Sequence, residues 1–350
     1  MATYQAAAWD RDTLRLIDQR ALPEETVYLE YEDYADVAEA IQTMVVRGAP
    51  AIGISVAYGM VLAARQSDAE DVESLRQDLR SAAEALESAR PTAVNLTWAL
   101  KRVMERASDP EIETVEAMRV AVLDEAKAIQ AYEERSNEQI GQHALPLVPD
   151  GADFVHHCNT GPLATGGLGT ALGVILTAHQ AGKDVHVYVD ETRPRLQGGR
   201  LTAWELQQWG VPHTVIVDGA AAHIMRTRKV DLCVVGCDRV VANGDTANKI
   251  GTYSLALAAR AHAVPFYVVG PTSSIDMSIA SGDEVEIEER PAVEVSHTLS
   301  CQITPDGTPI ANPAFDITPA VYITGIITER GIAYPPYKDS LAALMDDVED

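Results

Sequence analysis

The chain has 350 residues, 47% of them hydrophobic, and carries 27 Lys and Arg against 52 Asp and Glu for a net charge of −25. That is apolar material for one large domain or two ordinary ones, and a surface so acidic, with no Lys/Arg cluster anywhere, disfavours nucleic acid as a partner. The longest apolar run, residues 51–64, is too short to span a bilayer and contains Ser55 and Tyr58, so it reads as a buried helix, with no membrane partner.

In chain order, the opening M-A-T-Y-Q-A-A-A-W-D has neither a basic start nor a signal-length apolar core, and a cytoplasmic location is expected. Leu14, Leu16, Val27, Leu29 and Tyr31 suggest short strands. From Asp36 to about Ala144 the pattern turns helical, with amphipathic segments around 37–46, 72–89, 96–106 and 115–142. The turn-rich stretch Leu147-Val-Pro-Asp-Gly151 marks the expected boundary between a mainly helical amino-terminal domain, 1–146, and a catalytic domain, 147–350. Beyond it, apolar runs at 154–157, 185–189, 214–217, 232–236 and 266–269 alternate with helical patterns. Such alternation predicts an α/β fold with a doubly wound, mostly parallel sheet.

Polar residues gather where these strands end. Cys158, Asp190-Glu191, Asp218 and Asp238 all follow a predicted strand, at the edge where open α/β sheets hold their ligands. The segment 156–175 is a strand, a Gly-rich turn and a helix, but Leu172 stands where a dinucleotide fingerprint needs its third glycine and the Walker spacing is absent, so no nicotinamide cofactor is expected. Cys158 at this turn is either a thiolate favoured by the nearby helix start or a buried structural cysteine. His156 and His157 read as packing or solvated residues. Arg193 and Arg200 either clamp a phosphate or pair with Asp190 and Glu191, and Gln197 suits a sugar hydroxyl. Arg47 and Gly48 precede a helix with Pro50 in its first turn, a second possible anion contact beside an ordinary helix entrance. Arg90 lies in a loop between helices, from which it could reach the sheet edge. After the strand 232–236 comes Asp238, then an Asn-Gly-Asp turn, then Asn248-Lys249, expected to open a helix whose N–H groups suit a phosphate. Four cysteines, Cys158, Cys233, Cys237 and Cys301, lack a paired framework, and no Cys/His pair completes a zinc site, so free thiols and no metal are expected.

Together, R-G-A-P-A-I-G (47–53), R-P-T-A-V-N-L-T-W-A (from Arg90), H-C-N-T-G (157–161), D-E-T-R-P-R-L-Q-G-G-R-L-T-A-W-E-L (190–206), D-R-V-V-A-N-G-D-T-A-N-K-I-G-T-Y (238–253) and N-P-A-F-D-I-T-P (312–319) resemble the S-methyl-5-thioribose-1-phosphate isomerases. The wider family also holds ribose-1,5-bisphosphate isomerases and regulatory subunits of a translation-initiation exchange factor, so fold alone does not fix function. The resemblance implies a small amino-terminal domain joined to a Rossmann-like domain, a homodimer, and an aldose–ketose isomerase of methionine salvage acting on a sugar phosphate. It implies Cys158 and Asp238 as catalytic residues, and Arg47, Gly48, Ala49, Arg90, Gln197, Asn248 and Lys249 as substrate-binding positions. The substrate's C1 phosphate locks the furanose, so an acid must open the ring. Asp238 is expected to donate to the ring oxygen, while Cys158 acts at C2 as base or flanks a hydride shift.

Overall fold

A computed structural model describes residues 4–90 and 94–346. By compactness these form two units, residues 4–135 with 162–167, and residues 136–161 with 168–346. The division falls inside a long helix, upstream of the turn at residues 147–151.

The first unit opens with an antiparallel meander, β1 (Ala7–Asp10), β2 (Thr13–Ile17) and β3 (Tyr28–Tyr31), in which Leu14 and Leu16 are fully buried as the period-two pattern requires. Helices α1 (Tyr34–Gln42), α2 (Ala49–Gln66), α3 (Val72–Ser88), α4 (Val94–Ala107) and α5 (Val115–Ala144) follow. Asp33 and Asp71 cap α1 and α3 through their carboxylates. Leu75, Leu79, Ala82 and Leu86 form the buried stripe of α3 at helical spacing. Every residue of α2 from Pro50 to Ala64 is buried, which is the packing that an all-round apolar helix demands. The short helix α6 (Pro162–Thr165) belongs to this unit and packs on α2.

The second unit is built on a seven-stranded sheet. Its strands are β4 (Ala152–His157), β5 (Val185–Asp190), β6 (His213–Ile216) and β7 (Leu232–Val235), then, after the hairpin β8 (Arg239–Val241) and β9 (Thr246–Lys249), β10 (Phe266–Val269). Two-residue strands β11 (Ile275–Asp276), β12 (His297–Thr298) and β13 (Cys301–Gln302) precede β14 (Phe315–Thr318), β15 (Gly325–Thr328) and β16 (Gly331–Ala333). The order is β16-β15-β10-β7-β4-β5-β6, parallel except for the β16 edge. From β4 the chain winds outward through β5 and β6, then returns to the other side through β7, β10 and β15, as the alternation of apolar runs and helices predicts.

Alternate residues of the central strands feed two cores. Phe154, Val187, Val234 and Val269 face α7 (Ala171–Gln180) and α8 (Ala203–Trp209). Val155, Cys233, Val235, Phe266 and Val268 face α9 (Ala221–Thr227), α10 (Thr252–Ala261) and the carboxyl-terminal helix Tyr337–Asp346. A second sheet, ordered β11-β8-β9-β14, stands beside the first. No described helix is long and apolar enough to cross a membrane, and all four cysteines are unpaired.

Candidate active site

The winding of the sheet reverses between β4 and β7, which pair directly with His157 opposite Val235. Open α/β sheets leave a crevice at such a reversal, beyond the carboxyl ends of the strands. Cys158 follows β4 at once and Asp238 lies three residues past β7, so both candidate catalytic residues leave the sheet at this point. Cys158 is 9% exposed and adopts φ +71°, a left-handed conformation that costs a non-glycine residue about 1–3 kcal/mol unless its surroundings impose it. They do so with three hydrogen bonds. Its N–H donates to Thr192 Oγ1 (2.9 Å), its carbonyl accepts from Thr202 Oγ1 (2.7 Å), and its Sγ accepts from Gln197 Nε2 (3.4 Å). Gln197 is buried, and its Oε1 has no hydrogen-bond partner among the described residues. Asp238 is half-buried and held by its N–H, which donates to Ala247 O (2.9 Å).

The loop that supplies Thr192 and Gln197 is itself pinned. Both oxygens of Asp218 accept backbone N–H groups, from Thr192 and from Arg193, at 2.7 Å each. Arg193 does not pair with Asp190 or Glu191. Its guanidinium donates to Thr298 Oγ1 (2.8 Å) and to the Val295 carbonyl (2.9 Å). A π-helical turn, Gly198–Thr202, then delivers Thr202 ahead of α8; insertions of this kind recur at functional sites.

The sequence reading missed His157. Its side chain is 1% exposed, and the two ring nitrogens each lie 2.9 Å from an oxygen, Nδ1 from Asp190 Oδ2 and Nε2 from the Ile250 carbonyl. A carbonyl only accepts, so Nε2 carries a proton, and a second proton must then lie between Nδ1 and Asp190. Burial pulls the ring's pKa down, but the hydrogen bond and charge of Asp190 outweigh it, with Cys158 and Asp218 adding to them, and the ring is pushed up to about 9. Burial also pushes the Asp190 carboxyl up, against the hydrogen bond and charge of His157; we assign the shared proton to the ring, as an imidazolium facing a carboxylate. Its neighbour His156 is the converse: buried, with Nδ1 donating to the Val234 carbonyl at 2.8 Å, it is pushed down by burial to about 4 and stays neutral. Donor atoms of His157, Asp190 and Asp218 lie within 4.8 Å of one another, the spacing of a metal site. Hydrogen bonds already engage Nδ1 and both Asp218 oxygens, so the geometry reads as a polar network.

The segment after Asp238 corrects one expectation. Asn248 and Lys249 do not open a helix; they end β9, whose antiparallel partners are β8 and β14. The Asn-Gly-Asp turn closes a hairpin, and α10 starts only after Gly251, at φ +105°. Two of the N–H groups at that start are already engaged, since Gly251 N and Tyr253 N donate to the two oxygens of Asp316 at 2.8 and 3.1 Å. The chain's own carboxylate occupies the anion position. Asn248 is buried and donates through Nδ2 to Thr252 Oγ1 (3.0 Å), while Lys249 Nζ donates to the Ala314 carbonyl (2.7 Å) and lies over the Phe315 ring.

In the first unit, Arg47, Gly48 and Ala49 form the entrance to α2. Gly48 is its N-cap residue, at φ +98°, with no side-chain cap. A Cβ there would come within 2.6 Å of three Ala164 atoms, so only glycine lets α6 approach. Arg90 follows α3, half-buried. Residues 91–93 of the motif that begins at Arg90 lie outside the described residues.

Residues 45–335 match the Initiation factor 2 subunit family. The chain is 54% identical to a methylthioribose-1-phosphate isomerase of Synechococcus sp. over 99% of both chains, and 51% identical to methylthioribose-1-phosphate isomerase 2 of Pseudothermotoga lettingae, again over 99% of both. Among solved structures it is similar to 5-methylthioribose 1-phosphate isomerase from Pyrococcus horikoshii, with TM-score 0.92, 42% identity and coverage of 98% of this chain and 96% of that one. It is also similar to a translation initiation factor eIF-2B, subunit delta, from A. fulgidus, with TM-score 0.88, 40% identity and coverage of 98% and 100%. With half its sequence shared end to end and its fold matched throughout, the chain belongs to the methylthioribose-1-phosphate isomerases of the initiation factor 2 subunit family.

Proposed function

We propose that this protein converts S-methyl-5-thio-α-D-ribose 1-phosphate to S-methyl-5-thio-D-ribulose 1-phosphate, an aldose–ketose isomerisation of methionine salvage. The emergence of Cys158 and Asp238 from the paired strands β4 and β7 carries the reading on the structural side. Asp238 donates a proton to the ring oxygen and opens the furanose. Either Cys158 then removes the C2 proton and C1 is reprotonated, or the C2 hydrogen moves as hydride to C1; in both, the C2 hydroxyl gives up its proton to become the ketone. Gln197 and Asn248 contact the sugar hydroxyls, with the unpartnered Gln197 Oε1 as acceptor, while Arg47, Gly48, Ala49, Arg90 and Lys249 serve the phosphate and the rest of the substrate. The chain's own residues suffice for these steps without a cofactor or metal. The protein acts as a homodimer in the cytoplasm, and the Rossmann-like strand order suits a small phosphorylated ligand.

The similarity to an eIF-2B subunit favours one other reading, a regulatory subunit without catalysis. One assay separates the two. Purified protein is offered S-methyl-5-thioribose 1-phosphate, 5-deoxyribose 1-phosphate and ribose 1,5-bisphosphate and ketose is measured; product from the methylthio sugar supports the proposal, and ketose from only the other two, or from none of the three, overturns it. Running the productive reaction in D₂O then reads the route, since deuterium at C1 of the product argues against the hydride shift.

A further inference from the structure

His157 belongs to none of the binding or catalytic positions assigned above, yet it is among the most constrained polar side chains of the second unit. It leaves β4 one residue before Cys158 and makes two 2.9 Å hydrogen bonds, to Asp190 at the end of β5 and to the carbonyl of Ile250, one residue past Lys249. Gly251 completes the seat: a Cβ there would lie 2.8 Å from the ring. Three carboxylates face the ring electrostatically, Asp190 from β5, Asp218 after β6 and Asp316 from β14. Asp190 is 2% exposed, and its second oxygen, Oδ1, is buried with no hydrogen-bond partner among the described residues. A buried carboxylate half-satisfied in this way is costly for the fold. The simplest return on that cost is a cation held in place on the residue that precedes Cys158.

We propose that His157 is a positioning residue for Cys158: clamped as an imidazolium between Asp190 and the Ile250 carbonyl, it ties the thiol-bearing turn to the Asn248–Lys249 strand end and sets a fixed positive charge one residue from Sγ. The clamp joins elements far apart in sequence, since its two partners lie 33 and 93 residues from His157. It therefore holds the thiol and the end of β9 in one arrangement, so that loss of the charge and loss of alignment follow from the same substitution. The ring's elevation to about 9 keeps the charge in place across the neutral range.

The inference rests on the participation of Cys158 in the reaction, and the experiment keeps the two apart. His157→Gln and the milder Asp190→Asn are made in the full-length protein, checked for a native far-ultraviolet spectrum, and treated with iodoacetamide at one neutral pH. Alkylation of Cys158 and of the exposed Cys301 is followed by peptide mass spectrometry. The expected result is Cys158 alkylation slowed by about tenfold or more in both variants with Cys301 unchanged, together with a fall in kcat that exceeds any change in KM. Cys158 alkylation at the wild-type rate in a folded variant overturns the proposal, as does a rise in KM with kcat intact. Full activity of Cys158→Ser would instead sink the catalytic reading of the thiol and leave the alkylation difference standing.

Discussion

Gly48→Ala is the most informative single perturbation of the α2 entrance. At Gly48 the backbone sits at φ +98°, ψ 132°, in a region reserved almost wholly for glycine, and an L-residue there costs about 1–3 kcal/mol. The added methyl would lie 2.4 Å from Ala164 O, 2.5 Å from its Cα and 2.6 Å from its Cβ. Two of these are backbone atoms that no rotamer change can move, and forced overpacking of this kind typically costs about another 1–3 kcal/mol. Together the terms reach about 2–6 kcal/mol, a large fraction of the 5–15 kcal/mol that holds an ordinary domain. Gly182→Ala is the control, because its φ is also positive, +82°, but nothing lies within 4 Å of its Cβ, so only the backbone term of roughly 1–2 kcal/mol applies. Urea unfolding of the two variants, followed by far-ultraviolet circular dichroism, should show a clearly larger loss for Gly48→Ala, together with a fall in kcat/KM as Arg47 and Ala49 shift. Equal destabilisation of the two variants would refute the close approach of α6 as the reason for the glycine.

Asp238→Asn should bind substrate and lose turnover by about 10² to 10⁴, the usual cost of removing a general acid; turnover near wild type in a steady-state assay would contradict the donor role. His157 gives stability a pH signature. Its ring rises from the ordinary 6.5 to about 9 on folding, so its contribution is complete below pH 6.5 and is lost as the pH climbs through 9, by roughly 3 kcal/mol at most. Chemical denaturation across that range should show this decline in the wild type and a flatter profile in His157→Gln. Leu172→Ala removes a fully buried side chain from the core beneath α7 and should cost about 2–5 kcal/mol in the same measurement. Asp316→Ala frees the N–H groups of Gly251 and Tyr253, and it should raise KM more than it lowers kcat if the 248–251 segment binds substrate; an unchanged KM would argue that the segment is only structural.

Much of this architecture was legible in the sequence, and the exceptions share a cause. Apolar runs announced β4, β7 and β10, because strands buried on both faces must be apolar throughout, β5 and the more exposed edge strand β6 showed as shorter valine-bearing runs, and α2 announced itself by lacking a polar face. Cys158 and Asp238 could be placed because each stands next to such a run. Strand β9 was hidden, because Thr246-Ala-Asn-Lys249 has no hydrophobic alternation and is held as a strand by pairing with β8 and with β14, a segment about 70 residues away. The anion position at α10 was misread for the same reason, since Asp316, which fills it, lies on that distant strand. His157 looked bland because Asp190 and Ile250 meet it only in the folded sheet. Local pattern reports what a segment buries, and long-range pairing decides what its polar groups touch.

The two histidines of β4 carry opposite charge states on opposite faces of one strand, His156 neutral toward the Val234 carbonyl and His157 cationic toward Asp190. Successive strand residues alternate sides, so inserting or deleting one residue upstream in β4 would exchange them. The neutral ring seated against the Val234 carbonyl would then meet Asp190, and the carboxylate's partner would be driven to the other face of the sheet. Chain-length variation in this region should therefore be confined to the loop before Ala152, and any attempt to graft the Cys158 turn onto another sheet must carry β4, Asp190 and Ile250 as a single block.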